Sequence, residues 1–567
     1  MGEYRPQPFE TRQLTVVAQD PSIKRGSRIL TTELTIPAES LDPGPRGARI
    51  HVIDYDTNAG KLYRPRSSDL GADVLPDDWR NSDITDNPIF HAQNVYAISM
   101  ATLFKFESSL GRHIAWQFSR NAHQLKIAPH AFLDGNAFYS RSDQCLAFGY
   151  FRGSRNQWVH TCLSHDIVVH ETTHALVDGI RPFFDRPSSP DQAAFHEGFA
   201  DIIAILSVLQ SPEIVSLSLG KDAQGYPGLL ESSRIGFEAL RTNALLRLAK
   251  EIGAELSGIR HRSLRASLDL PPGNYLADED RQHPHTRGEI LVAAVLRAYL
   301  KVWVARLEPI IGVKSRLASR ERVVEEGTKA AKHLLTMAIR ALDYLPPTDL
   351  TFPDYLSALI TSDVETYLTD EPYHYRQTLI GSFADYGIAP ASGQGAHRGQ
   401  WEAPRTRPLY GFSHAEPMRS DTEAVQRFVW ENRRLFQINP DAFTRVLSVR
   451  PVTRTGHDGF VVRETVAEVI QTLSVRADEL KRLKIRKPPD MPDDTAIRIY
   501  GSNALVFDEF GQLKYDIGTS IQSAHQSDRL ETLWNRGHYV HGGRAAGSFA
   551  ELHRVAAEQV VPPEESW

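Results

Sequence analysis

An α+β fold is predicted by three changes of hydrophobic pattern along the 567 residues. Residues 1–88 alternate short β-prone runs with Pro- and Gly-containing turns. From about Asn87 to Ile388 the apolar spacing becomes helical, and a β-rich stretch returns beyond residue 410. Taken in order, Leu14-Thr-Val-Val17 and Ala48-Arg-Ile-His-Val-Ile-Asp54 are the early strand runs, separated by stretches such as Asp42-Pro-Gly-Pro-Arg-Gly47. Val95, Ile98, Met100, Leu103, Phe104 and Phe106 suit a helix buried along one broad face. Helices carrying His170 and Glu197 follow. A strongly apolar helix is then expected over Gly288 to Leu307, through Ile290, Leu291, Val295, Leu296, Leu300 and Trp303, with further helices at about 320–344 and 353–368. Ala389 to Pro408, with Gly393, Gly395, Gly399 and Pro404, has the composition of a linker. Beyond it, Phe460–Ile470 is β-rich, and Ala504–Asp516 reads as a hairpin turning near Phe510-Gly511. The expected division is a β-rich N-terminal accessory segment at 1–88, a main unit at 89–390, a linker at 391–410 and a compact α+β accessory domain at 411–567.

A chain of this length exceeds one typical domain, so two or three units are expected, each long enough to bury a core. Hydrophobic content of 41% and charged content of 24% are ordinary for a globular protein. The net charge of −6 and the pI near 6.4 leave no electrostatic footprint for nucleic acid or an anionic membrane. The basic run Lys481-Arg-Leu-Lys-Ile-Arg-Lys487 is read as a solvated helix end or linker. Cys145 and Cys162 form no CxxC pattern and are read as small buried residues rather than catalysts. The N-terminus lacks an apolar signal core, Pro6 spoils a myristoylation signal at Gly2, and no run of about 18 apolar residues occurs. A cytoplasmic protein without membrane segment or nucleic-acid partner is therefore expected. Its oligomeric state is not legible.

The chemistry is concentrated in His170-Glu171-Thr172-Thr173-His174 and, further on, His196-Glu197-Gly198-Phe199-Ala200-Asp201. On a helix, residues four apart share a face, so His170 and His174 bring two imidazoles to one point with Glu171 beside them. Glu197 and Asp201 are also four apart, so a second helix offers one carboxylate as a third ligand and another as a support. Three protein ligands with an open fourth position describe a catalytic zinc site. The bare string has a blander reading as an exposed polar helix face. Its flanks, Asp166-Ile-Val-Val and Ala175-Leu-Val177, are apolar enough to bury it, and buried histidines and glutamate need a partner such as a metal. The longer pattern with a third histidine fails, because Val177 and Ile180 stand where its glycine and histidine belong.

With these motifs in place, residues 89–390 resemble the catalytic unit of the thermolysin-like zinc metallopeptidases, the gluzincin group. The resemblance implies zinc held by His170, His174 and Glu197, with Glu171 as general base and Asp201 orienting His170. Asn136-Ala137-Phe138-Tyr139 resembles the family's edge strand, which implies that Asn136 and Ala137 grip the substrate peptide. Asp280-Arg-Gln-His-Pro-His285 resembles its aspartate-to-histidine spacing, which implies His285 as oxyanion donor supported by Asp280, with His283 close enough to compete. Ser263-Leu-Arg-Ala-Ser267 resembles the segment whose arginine binds a substrate carbonyl, here Arg265. A peptide or protein substrate is implied.

The chain also departs from that pattern. The connection between the two zinc helices carries Phe183 and Phe184 where the family has a tyrosine. Val208 replaces a calcium-ligand glutamate, so structural calcium is not expected at that position. Two other readings stay open: a zinc-binding scaffold without catalysis, and an aminopeptidase, although no Gly-x-Met-Glu-Asn-like segment is present to hold a free substrate terminus.

Overall fold

The structure, a computed structural model, describes residues 10–539 except 26–27, 64–81, 119–121, 154–155, 186–187, 246–266, 268, 279–280, 282, 311–315, 368, 393–398, 412–413, 456–458, 460 and 538. It is α+β, with an N-terminal mixed β-sheet, a central helical region and a C-terminal antiparallel sheet of four strands.

Strand β1 (Thr11–Val17) pairs antiparallel with β2 (Thr31–Pro37), Leu14 opposite Leu34. Alternation along β1 turns Leu14 and Val16 inward. A third strand, β3 (Ile50–Val52), comes from the second early apolar run. The helix expected around Val95 to Phe106 is α1 (Pro88–Leu110). Its start follows from Asn87, whose side chain accepts the Ile89 N–H at 3.0 Å, and from Pro88, which gives up no needed donor in a first turn. Asn94 and Gln93 of α1 bond the β1 backbone at Val17 and Thr15, so the hairpin lies on this helix.

After α1 come β4 (Leu125–Phe132), β5 (Ala137–Ser140), β6 (Cys145–Arg152) and β7 (Trp158–His160). The sheet order is β7-β6-β4-β3; β3 and β4 run parallel, as do β4 and β6. Strand β5 pairs antiparallel with the first half of β6, Ala137 opposite Phe148, and β7 pairs with its second half, Tyr150 opposite His160.

Among the described residues, the longer helices of the central region are α2 (His165–Ile180), α3 (Pro190–Val208), α4 (Pro284–Leu307), α5 (Arg320–Ala341), α6 (Phe352–Val364) and α7 (Tyr375–Ala384). The Ser189 hydroxyl caps α3 by accepting the Gln192 N–H at 3.0 Å. Helix α4 starts four residues before the expected Gly288, because Pro284 is tolerated at a first-turn position. Its Ile290, Leu291, Leu300 and Trp303 are buried in the main core. Each such side chain contributes about 1.5–3 kcal/mol relative to exposure. Among the described residues no single helix is long and apolar enough to cross a membrane.

Residues 399–410 run without helix or strand, but Trp401 is anchored, its indole donating to the Tyr344 carbonyl at 2.8 Å. Helix α8 (Thr422–Glu431) then precedes β8 (Phe443–Thr455), β9 (Val461–Arg476), β10 (Ala496–Phe507) and β11 (Leu513–Thr519), ordered β8-β9-β10-β11, and α9 (His525–Asn535). The expected hairpin is present, β10 turning into β11 through Gly511 at φ 75°. Toward the helical region and α8, period-two alternation sends the two faces of this sheet into different cores, while the far ends of β9 and β10 (Leu473, Val475, Ile497 and Ile499) join a third. Val466, Ala504 and Val506 join the main core of the helical region, while Ala467, Val469, Leu505 and Phe507 pack with Val425 and Phe428 of α8.

Buried ion pairs join the sheet to the helices. Asp343 receives both guanidinium arms of Arg112, at 2.6 and 2.7 Å, and a further bond from Arg454 of β8. Arg454 also pairs with Glu464 at 2.9 Å, and Arg181 pairs with Glu468 of β9. Burial alone would raise the Asp343 carboxyl, but the Arg112 and Arg454 guanidiniums outweigh it and hold Asp343 well below the usual carboxylate range. The basic run 481–487 is partly folded in, with Leu483 and Ile485 buried. Its Arg486 lies 3.3 Å from Asp528, and Lys487 pairs with Asp493.

Candidate metal centre

Helices α2 and α3 pack side by side and bring the two motifs together. One turn separates His170 from His174 on α2, and their Nε2 atoms face each other at 2.8 Å. From α3, Glu197 places Oε2 3.5 Å from His170 Nε2 and Oε1 3.9 Å from His174 Nε2. All three side chains are buried, and their ligand atoms lie within 4.8 Å of one another. Glu171, the next residue on α2, is fully buried as well. The two threonines of the motif fold back into the helix, Thr172 bonding Val168 O and Ser99 of α1, and Thr173 bonding Val169 O.

The outer nitrogens are held by neighbouring groups. His170 Nδ1 lies 2.8 Å from Asp201 Oδ1 and donates to it. The His170 Nε2 faces His174 and Glu197. His174 Nδ1 lies 2.7 Å from His196 Nδ1, with the two rings stacked at 4.7 Å. Two imidazoles and one carboxylate converging at one buried point form a donor set suited to a divalent metal ion.

His285 enters from the first turn of α4, its Nδ1 3.2 Å from Glu197 Oε2 and its ring stacked on His283 at 5.4 Å. This approach depends on a close crossing of α3 and α4. A Cβ on Gly198 would lie 2.8 Å from Gly288 O, and one on Gly288 3.0 Å from Ala194 O. Only glycine lets both backbones come that near. Arg287 secures the same crossing by pairing with Asp191, at the start of α3, at 2.6 Å.

The segment expected to meet substrate is the short strand β5. Its Tyr139 hydroxyl donates to Asp178 Oδ2 of α2 at 2.8 Å, which ties the strand to the metal-site helix. Asn136 folds back, its Oδ1 accepting the Ala137 N–H at 2.9 Å and its carbonyl accepting the Gly149 N–H. Asp280 and Arg265 lie outside the described residues.

Two features were not anticipated. His196 stands inside the second motif and contacts a ligand ring, a role that its adjacency to Glu197 signals only once the helix is placed against α2. The connection between α2 and α3 is held by the C-terminal sheet: Arg181 pairs with Glu468, Arg450 donates to Ile180 O at 2.9 Å, and Phe183 meets Tyr500 edge-on at 5.7 Å. Val208 lies in the main core. A cavity of about 760 Å³ lined by His333, Arg340, Asp363 and Tyr375 contains none of the metal-site residues. No protein-family model matches the chain, and no curated protein matches it.

Proposed function

We propose that the chain is a zinc-dependent endopeptidase of thermolysin-like type, hydrolysing internal peptide bonds. The reading is carried by one observation, the buried convergence of His170, His174 and Glu197 from two packed helices, with His285 against the ligand carboxylate. A zinc ion held by His170, His174 and Glu197 would supply Lewis acidity at this point. Glu171, a fully buried carboxylate on the same helix, is placed to act as general base toward an attacking water and to return the proton to the leaving amine. His285 donates a hydrogen bond to the oxygen that gains charge during attack on the carbonyl. Asp201 keeps the His170 ring oriented and more basic, and His196 does the same for His174. Strand β5, hydrogen-bonded to β6, takes an extended peptide along its other edge once the Asn136 side chain turns outward.

A zinc-holding scaffold is the second reading. One observation favours it: the α2–α3 connection has no tyrosine to assist the oxyanion and is clamped against the sheet by Arg181 and Glu468. Internally quenched peptides with blocked amino termini separate the readings. Cleavage at internal bonds supports the endopeptidase, cleavage only of unblocked peptides an aminopeptidase, and no cleavage by fully zinc-loaded protein the scaffold.

A further inference from the structure

A second cluster of metal-ligating side chains lies away from the first, at the junction of the N-terminal sheet with α1. His91 of α1, His130 of β4, His160 at the end of β7 and Cys162 in the turn before α2 place their ligand atoms within 4.8 Å of one another. His91 Nδ1 faces His130 Nε2 at 2.8 Å. Both outer nitrogens are held by acceptors: His91 Nε2 lies 3.0 Å from Thr85 O, and His130 Nδ1 lies 2.6 Å from Asp54 Oδ1. Each outer nitrogen therefore donates its proton outward, and the two inner nitrogens face each other. The third ring closes on them, with His160 centred 4.6 Å from His91 and 5.1 Å from His130. Its Nδ1 is enclosed and has no hydrogen-bond partner.

We infer that these four residues form a second zinc site, structural rather than catalytic, with three imidazoles and one thiolate filling a tetrahedron. Two observations independent of the spacing support it. The first is charge: the buried carboxylates of Asp54 and Asp56 border the cluster, and a divalent ion would offset negative charge in a place where it is costly. The second is an orphaned polar atom: the enclosed His160 Nδ1 has no hydrogen-bond partner, and a metal ion would give it one. Cys162 is fully buried, and binding would displace its proton to solvent as the sulfur–metal bond forms. With four protein ligands no position is left for substrate, which is the mark of a structural site. Its place in the chain gives it work to do. Cys162 stands eight residues before His170, so the ion would pin sheet, α1 and the start of α2 at one point.

Sulfur separates the two sites, because the first has none. Full-length protein loaded with cobalt(II) is expected to hold about two equivalents and to show a near-ultraviolet sulfur-to-cobalt band. Cys162→Ser should abolish the band and one equivalent; Cys145→Ser should change neither. His174→Ala should lose one equivalent and keep the band, which keeps the test decisive if Cys162→Ser fails to fold. A single equivalent in the wild type with no sulfur band, or a band that survives Cys162→Ser, would overturn the inference.

Discussion

Gly198→Ala tests how the helix crossing serves the site. The added methyl lies 2.8 Å from Gly288 O, where ordinary contact begins at 3.4 Å, so α3 and α4 must separate by about 0.6 Å. Overpacking of this kind costs about 1–3 kcal/mol. The same displacement would carry His285, three residues before Gly288, from 3.2 Å to about 3.8 Å from Glu197. The candidate metal ligands lie on α2 and α3, whose spacing is untouched, so metal content should hold. A misplacement of 1 Å at a reacting centre can cost about 10²-fold, and about tenfold is expected here in kcat. Denaturant unfolding, zinc content and peptide hydrolysis measured on one preparation check all three consequences. A variant as stable and as active as the wild type would refute the reasoning, since the crossing would then have slack that the backbone distances deny.

Three further outcomes are expected. Asp201→Ala, which frees His170 Nδ1, should weaken zinc binding by about 10–100-fold, measured by competition with a chelator. Asp343→Asn leaves Arg112 and Arg454 buried without their shared carboxylate and should cost about 3–5 kcal/mol. Because Asp343 is depressed in the folded state, its contribution is complete above the unfolded value of about 4 and is lost as pH falls toward the folded value; the gap between wild type and variant should be flat above pH 4 and narrow below it. Millimolar calcium should shift the thermal midpoint little when zinc is saturating, because a buried valine, Val208, occupies the position where the resemblance places a ligand carboxylate.

Local periodicity was legible and distant pairing was not. The helix around Val95 to Phe106, the apolar α4 and the hairpin at Gly511 all announce themselves within a few residues, since the patterns that bury them repeat at 3.6 or 2.0. The metal triad was legible for the same reason: each half is an i, i+4 pair, and apolar flanks bury both. By contrast, Arg181 and Glu468 stand 287 positions apart, and neither carries a local mark that it will meet the other. Gly198 and Gly288 look like ordinary helix-weakening glycines until the helices cross. His91, His130, His160 and Cys162 come from four elements with no repeated spacing, so Cys162 read as a small buried residue; buried it is, but beside three histidines. The division into domains at residues 88 and 410 rests on composition alone. The folded chain hydrogen-bonds β3, from the first 88 residues, into the sheet that flanks the metal-site helices.

If the buried triad works with Glu171 as a hydrolytic centre, Glu171→Gln is the substitution that exposes it most directly. Gln preserves the shape of the side chain and is not a ligand, so zinc should stay bound at the wild-type level. Loss of the general base should lower hydrolysis of an internally quenched peptide by about 10²–10⁴-fold or more. A Gln variant that cleaves at the wild-type rate, or a zinc-saturated wild type that cleaves nothing from a diverse peptide library, would contradict the claim.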